Sequence, residues 1–256
     1  MSLVTRSGIL LRSHPYSETS RILRVLTSEG GIVSLMAKGV RSSASKGGGG
    51  LDHFSTLEVV YYDREGRDLH TLKEFRTTRA RGGIGREVLR FAAAAFLAEL
   101  VLGHTLQEGN PELYRGLEEG LEALTMEPTE SIPGLLLSVG WRLLSDLGFP
   151  PALTTCIGCG RPIPAGEALA RFDPGGGGLL GPECAEEGEG ARLGPGAREE
   201  LRAIVAGEPP TPVRRPDVHF RLMERFALHH LDRTRPFRST GTLLPLLEKE
   251  VEEDPS

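Results

Sequence analysis

The sequence predicts an α+β, multidomain chain: a small five-stranded barrel, then a helical domain with a cysteine-bearing module inserted into it. Three observations carry this expectation. The first third holds five short apolar runs punctuated by polar residues and glycine. From residue 83 onward, apolar residues recur at three- and four-residue spacing. Cys156, Cys159 and Cys184 interrupt that helical part within a segment rich in Gly and Pro.

The five runs are SGILLRSH (7–14), SRILRVLTSEG (20–30), GIVSLMAKG (31–39), DHFSTLEVVYYD (52–63) and DLHTLKEFRTT (68–78). The second half of the fourth alternates, and the fifth sets Leu69, Thr71 and Lys73 against His70, Leu72 and Glu74. That is the period of a strand with two different faces. Glu29-Gly30-Gly31 separates the second run from the third. Asp63-Arg64-Glu65-Gly66 supplies the glycine of a hairpin between the fourth and fifth. RSSASKGGGGLD (41–52) is small, polar and Gly-rich, and reads as a mobile loop joining the third and fourth strands. Five such strands suggest a small antiparallel barrel.

After Gly82-Gly83 the period changes. In 86–106, Leu89, Ala93, Phe96, Leu97, Leu100 and Val101 form a helical stripe. Asn110-Pro111-Glu112 is an N-cap, a first-turn proline and a first-turn acid, opening a helix over 111–125. Pro133 precedes a third helix, 134–148, which stops at Gly148-Phe149-Pro150-Pro151. The cysteine segment follows, and 194–207, 215–235 and 240–253 read as three more helices. The expected domains are 1–82, a barrel; 83–153, the first part of a helical domain; 154–192, the cysteine module; and 193–256, the second helical part. No internal repeat is visible.

Composition bounds the function. With 39% hydrophobic and 25% charged residues the chain is ordinary for a globular protein. It has no apolar run long enough for a membrane span and no signal-peptide core, so the expected location is cytoplasmic, nucleoid-associated. The net charge of −5 is unevenly spread. Residues 1–82 carry 13 Lys+Arg against 8 Asp+Glu, a local +5, and the remainder 17 against 27, or −10. A polyanion would be drawn to the first part and repelled by the rest.

The cysteines carry the strongest chemical signal. CIGC (156–159) is one zinc knuckle, followed by Gly160, where a tight turn lets backbone amides face the sulfurs. GLLGPEC has the spacing of a second knuckle, but Gly181 stands where its first thiolate would be. Two readings stand: one structural zinc on three thiolates, with water, Glu183 or Asp173 as the fourth ligand, or a zinc-free hairpin held by packing. A catalytic metal would need a general base, and none is marked.

Arg12, Arg21, Arg24, Lys38 and Arg41 lie on or beside the first three strands, Lys46 in the Gly-rich loop, and Arg76, Arg79 and Arg81 where the barrel ends. Small five-stranded barrels bind oligonucleotides across the second and third strands and neighbouring loops, with cations tracking the backbone. Tyr16, His53, Tyr61 and Tyr62 are the candidate stacking platforms. Tyr61 and Tyr62 point to opposite faces, so one of them belongs to the core. The Gly runs 47–50 and 175–178 lack a following GK[ST] and are not phosphate loops. His229 and His230 read as one partly buried and one exposed helix residue. No nucleophile elbow, zincin motif or paired-carboxylate arrangement occurs, so no catalytic residue is expected.

Taken in order, GILLRSHPYSETSRILRVLTSEGGIVSLMAKGVR, LDHFSTLEVVYYDREGRDLHTLKE, LLSDLGFPPALTTCIGCG, GGGGLLGPEC and FRLMERFALHHLDR resemble the RecO family of bacterial DNA-repair proteins over nearly the whole chain. The resemblance implies an OB-fold N-terminal domain that binds nucleic acid over 1–82, a helical domain, and a zinc-finger-like module that many members carry with four cysteines. It implies a recombination mediator that is not an enzyme. Such a protein binds single- and double-stranded DNA, anneals complementary strands and helps load recombinase onto strands coated by single-strand-binding protein. The implied partners are RecR, single-strand-binding protein and, in some systems, RecF. Cys156, Cys159 and Cys184 match three of the four zinc ligands, with Gly181 in place of the other. The family's DNA contact involves basic residues of the OB-fold, for which Arg12, Arg21, Arg24, Lys38 and Arg41 are the candidate positions here.

Overall fold

The computed structural model describes residues 2–38, 51–64, 66–104, 109–163, 166, 170–185 and 190–252, with the side chains of 250–252 left out. The chain forms two compact units, 1–126 and 127–256.

In the first unit, five strands close into a barrel: β1 (Ser2–Pro15), β2 (Arg21–Thr27), β3 (Ile32–Ala37), β4 (Thr56–Asp63) and β5 (Leu69–Arg79), in the spatial order β1-β2-β3-β5-β4. Closure rests on the length of β1. Its N-terminal half pairs with β4, Ser2 opposite Asp63 through Ile9 opposite Thr56. Its C-terminal half pairs with β2, Gly8 opposite Thr27 through Pro15 opposite Arg21. The strand is thus longer than the short run read from sequence, because one strand must reach both neighbours. The barrel is also not wholly antiparallel: β3 and β5 pair in parallel, Ser34 opposite Leu69 and Met36 opposite Thr71. Two-residue alternation fixes which face a side chain takes, not the direction of the neighbouring strand.

The interior obeys that alternation. Leu23 and Val25 of β2, Leu35 and Ala37 of β3, and Leu57, Val59 and Tyr61 of β4 meet Leu10 in one buried cluster. A bulge between Leu10 and Arg12 lets Leu10 and Leu11 both bury, and turns Arg12 outward. Gly30 (φ +84) makes the β2–β3 turn, where any Cβ would strike the backbone of Asn110.

Two helices, α1 (Val88–Leu102) and α2 (Pro111–Met126), complete this unit. Every residue of the expected α1 stripe is buried, from Leu89 to Val101. The Asn110 Oδ1 accepts hydrogen bonds from the N–H groups of Glu112 (3.0 Å) and Leu113 (3.3 Å), the N-cap read from sequence. The contact boundary at 126/127 falls inside the stretch 83–153.

The second unit contains α3 (Ile132–Asp146), β6 (Ala170–Asp173), β7 (Gly178–Leu180), the single-turn α4 (Pro182–Ala185), β8 (Ala191–Leu193), α5 (Pro195–Val205), α6 (Pro216–His230) and α7 (Thr240–Glu252). Pro133 sits within the first turn of α3, not before it. Gly148 (φ +99) ends α3, and the Phe149 N–H reaches back to the Leu144 carbonyl. The sheet β7-β6-β8 packs through Phe172 against Trp141 of α3 and Phe226 of α6, with ring centroids 6.1 Å from each. Arg202 of α5 holds the cysteine segment by donating to the carbonyls of Leu153 and Ile163. No helix among the described residues is long and apolar enough to cross a membrane.

Candidate nucleic-acid interface and metal centre

The strand registers decide which arginines meet. Arg12 lies directly opposite Arg24, and Arg24 opposite Ser34, in one row across the outer face of β1, β2 and β3. Arg12 has a carboxylate to meet: its guanidinium lies 3.4 Å from Glu99 of α1. Arg24 has none among the described residues, and its Nε is buried without a hydrogen-bond partner. Arg21, three residues before Arg24 and opposite Pro15 at the end of β2, donates from Nε to the Ser13 hydroxyl at 2.6 Å and meets no acid among the described residues. Lys38 follows β3, exposed and unpaired among the described residues.

Arg76 and Arg79 are elsewhere. They lie on the half of β5 that pairs with β4, where Arg76 meets Glu58 at 3.4 Å and Arg79 meets Glu122 at 3.0 Å. Arg81 is 4% exposed. It donates to the Phe54 carbonyl (2.6 Å) and the Thr56 hydroxyl (3.1 Å), with Glu118 and Glu122 at 3.7 and 3.4 Å. The carboxylates are at ion-pair range but outside hydrogen-bond geometry, so Nε and Nη2 stay without hydrogen bonds. Arg41 and Lys46 lie outside the described residues.

Two groups escaped the sequence reading. Arg64 and Arg67, from the β4–β5 turn, line a concavity of about 460 Å³ together with Lys38, Met36, Asp68, Leu69, His70 and Thr71. The parallel β3–β5 pairing brings this turn to Lys38, and no local spacing announces it. The second is Phe91 of α1, 44% exposed, whose ring meets His53 edge-on with centroids 6.5 Å apart. Its position off the buried stripe of α1 was the available signal. Burial, then the charges of Arg21 and Arg12, hold the His53 imidazole below its usual 6.5, with Asp52 opposing. That places His53 beside two of the candidate cations. Tyr61 is the core member of its pair, and Tyr16 is fully outside it.

In the second unit, the Cys156, Cys159 and Cys184 sulfurs lie within 4.8 Å of one another. Gly160 (φ +74) turns the chain after the first knuckle, its N–H bonded to the Cys156 carbonyl at 2.8 Å. The Cys184 N–H donates to the Gly181 carbonyl at 3.0 Å in the second. Burial raises the Cys156 thiol, but the N–H groups of Gly181, Cys159 and Gly158 outweigh it and bring the thiol to about 6. Cys184, donating to Cys156 and Cys159, is pushed up to about 11. Three converging soft donors at this spacing suit zinc, whose thiolate bonds are about 2.3 Å long.

The sequence offered Glu183 or Asp173 as a fourth ligand, and neither joins the cluster. Glu183 is taken by Arg161, which grips both its oxygens. The Asp173 Oδ1 accepts the Gly175 N–H at 2.9 Å, bracing the turn between β6 and β7. His230 bonds the Pro174 carbonyl at 3.0 Å on that turn, and His229 is exposed.

Residues 1–81 match the family Recombination protein O N terminal, and residues 86–211 match Recombination protein O C terminal. Several relatives are described as DNA repair protein RecO. One from Anaeromyxobacter sp. (strain Fw109-5) is 37% identical over 183 residues, 70% of this chain and 69% of its own. One from Rubrobacter xylanophilus is 34% identical over 215 residues, covering 80% and 82%. One from Prosthecochloris aestuarii is 29% identical over 252 residues, covering 93% and 95%.

Proposed function

The chain belongs to the RecO family, and from that premise we propose that it acts in DNA repair as a recombination mediator. It binds single- and double-stranded DNA on an OB-fold N-terminal domain, anneals complementary strands and helps load recombinase onto strands coated by single-strand-binding protein. Its partners in this reading are that protein, RecR and, in some systems, RecF, all in the cytoplasm at the nucleoid.

One observation carries the DNA-binding part: cations that meet no carboxylate among the described residues gather at one end of the barrel. Arg24 and Arg21 lie on β2, Lys38 follows β3, and Arg64 and Arg67 turn toward it. The half-buried His53 and the exposed Phe91 beside it add an aromatic edge for stacking. Annealing needs no catalytic group here. A cationic surface lowers the repulsion between two polyanions, and base pairing completes the reaction. Binding therefore falls steeply with salt, through counterion release. The test is the salt slope of Arg21→Ala plus Arg24→Ala: a flatter slope and weaker binding to every sequence are expected.

A second reading is an adaptor between RecR and single-strand-binding protein with little DNA affinity of its own. It is favoured by the carboxylates that already neutralise Arg12, Arg76 and Arg79. Titration of labelled single strands without partners separates the two.

One structural zinc belongs to this proposal. Cys156, Cys159 and Cys184 would hold it, tying the two knuckles of the module together. When bound, the metal supplies cross-linking and no chemistry on DNA.

A further inference from the structure

Residues 213–240 carry seven arginines against three acids, a local +4 within the stretch 83–256, whose net charge is −10. Folding turns two of the three acids inward. Asp217 is buried with its carboxylate taken by Arg215 at 3.0 Å, and the buried Glu224 accepts from the Thr240 hydroxyl. The arginines stay outside. Phe220, Met223, Phe226 and Ala227 of α6 are buried, and Arg221, Arg225 and His229 recur at four-residue spacing on the exposed face. Arg235 and Arg238 are exposed in the stretch that leads from α6 to α7. Arg233 lies there too, its guanidinium 4.4 Å over the Phe237 ring. Arg221 meets Glu248 at 2.6 Å, whereas Arg225, Arg233, Arg235 and Arg238 meet no carboxylate among the described residues. The Arg221–Glu248 contact puts the acidic end of α7 at the start of α6, roughly 12 Å along α7 from Thr240, where the arginine-bearing stretch ends. A helix dipole favours cations in the last turn only. Arg225 lies mid-helix, and Arg235 and Arg238 lie beyond it, so the dipole does not account for them.

We propose that these arginines form a second nucleic-acid-binding surface, on the second unit, which takes the phosphate backbone of the second strand during annealing. The inference rests on the reading that the chain anneals complementary strands, and deepens it. The cations of β2 and β3 hold one strand, and the arginines of α6 and its exit hold the other. Guanidinium forks match phosphate oxygens bidentately, and the Phe237 ring fixes the plane of one fork. No covalent bond forms or breaks: counterions leave the strand as the arginines take their place. Two strands held on one chain meet at high effective concentration, and base pairing completes the reaction.

The test uses the full chain and a short labelled oligothymidylate, which cannot pair with itself. With protein well above the dissociation constant, the unaltered chain should bind two strands. Arg225→Ala plus Arg235→Ala plus Arg238→Ala should bind one. With complementary strands, this variant should anneal about tenfold more slowly at moderate salt, having lost about three phosphate contacts. The matching lysine variant keeps the charge and should retain both strands and most of the rate, which separates a lost surface from a folding defect. One strand per unaltered chain, lost with Arg21→Ala plus Arg24→Ala and untouched by the alanine variant, would overturn the second surface and leave the barrel reading intact. Two strands and an unchanged rate in the alanine variant would overturn it as well. No binding by the unaltered chain would remove both readings.

Discussion

Arg12 and Arg24 face each other across β1 and β2, yet among the described residues only Arg12 has an acid to meet, Glu99 at 3.4 Å. Two arginines in one cross-strand pair therefore carry different amounts of free charge. Arg24→Ala should weaken single-strand binding more than Arg12→Ala does. It should also lower the salt slope by about 0.7, one phosphate contact. Fluorescence anisotropy over a range of salt concentrations reads both effects, and equal effects from the two variants would mean that DNA displaces Glu99.

The concavity of Lys38, Arg64 and Arg67 extends the same surface. Arg64→Ala with Arg67→Ala should reduce DNA affinity by about tenfold at moderate salt, while Arg76→Ala, whose guanidinium already meets Glu58, should change it less than about twofold. A larger loss from Arg76→Ala than from the turn pair would move the interface to β5.

His53 reports on the cations beside it. Burial and the charge of Arg21 depress its folded-state pKa below 6.5. The unfolded chain therefore binds the proton first, so this group's stabilisation is present above pH 6.5 and is lost as pH falls below it. Phosphates at Arg21 and Arg12 would cancel part of the depression. The His53 midpoint, followed by NMR, should rise when a single strand is added, with uptake of protons from solution. A midpoint that stays where it is would mean that no phosphate sits near these arginines.

Arg81 belongs to stability rather than binding. Its guanidinium is buried with Glu118, Glu122, the Phe54 carbonyl and the Thr56 hydroxyl around it. Removing it strands two partly exposed carboxylates and two acceptors, so Arg81→Ala should cost about 2–4 kcal/mol in urea unfolding of the full chain. A change below about 0.5 kcal/mol would mean that water replaces it at no cost.

Local chemistry was legible in the sequence, and long-range pairing was not. The Asn110 cap, the stop at Gly148 and the α1 stripe each depend on residues within a few positions, and each is where spacing puts it. The thiol cluster was legible for the same reason, since two knuckles are local turns that need only be brought together. The neutralisation of Arg12 was not, because Glu99 lies 87 residues away and meets it only through the packing of α1 on the barrel. Arg64 and Arg67 were missed because their meeting with Lys38 depends on the parallel β3–β5 register. Glu183 looked like a ligand by proximity to Cys184. Arg161, 22 residues back in sequence, claims it instead.

The measurement that bears most directly on the account is a titration of labelled single-stranded DNA with the full chain alone, at moderate salt, beside Arg21→Ala plus Arg24→Ala. The account predicts micromolar or tighter binding by the unaltered chain, with weaker binding and a flatter salt slope for the variant. Binding that needs millimolar protein, or a variant whose affinity and slope match the unaltered chain, would contradict it.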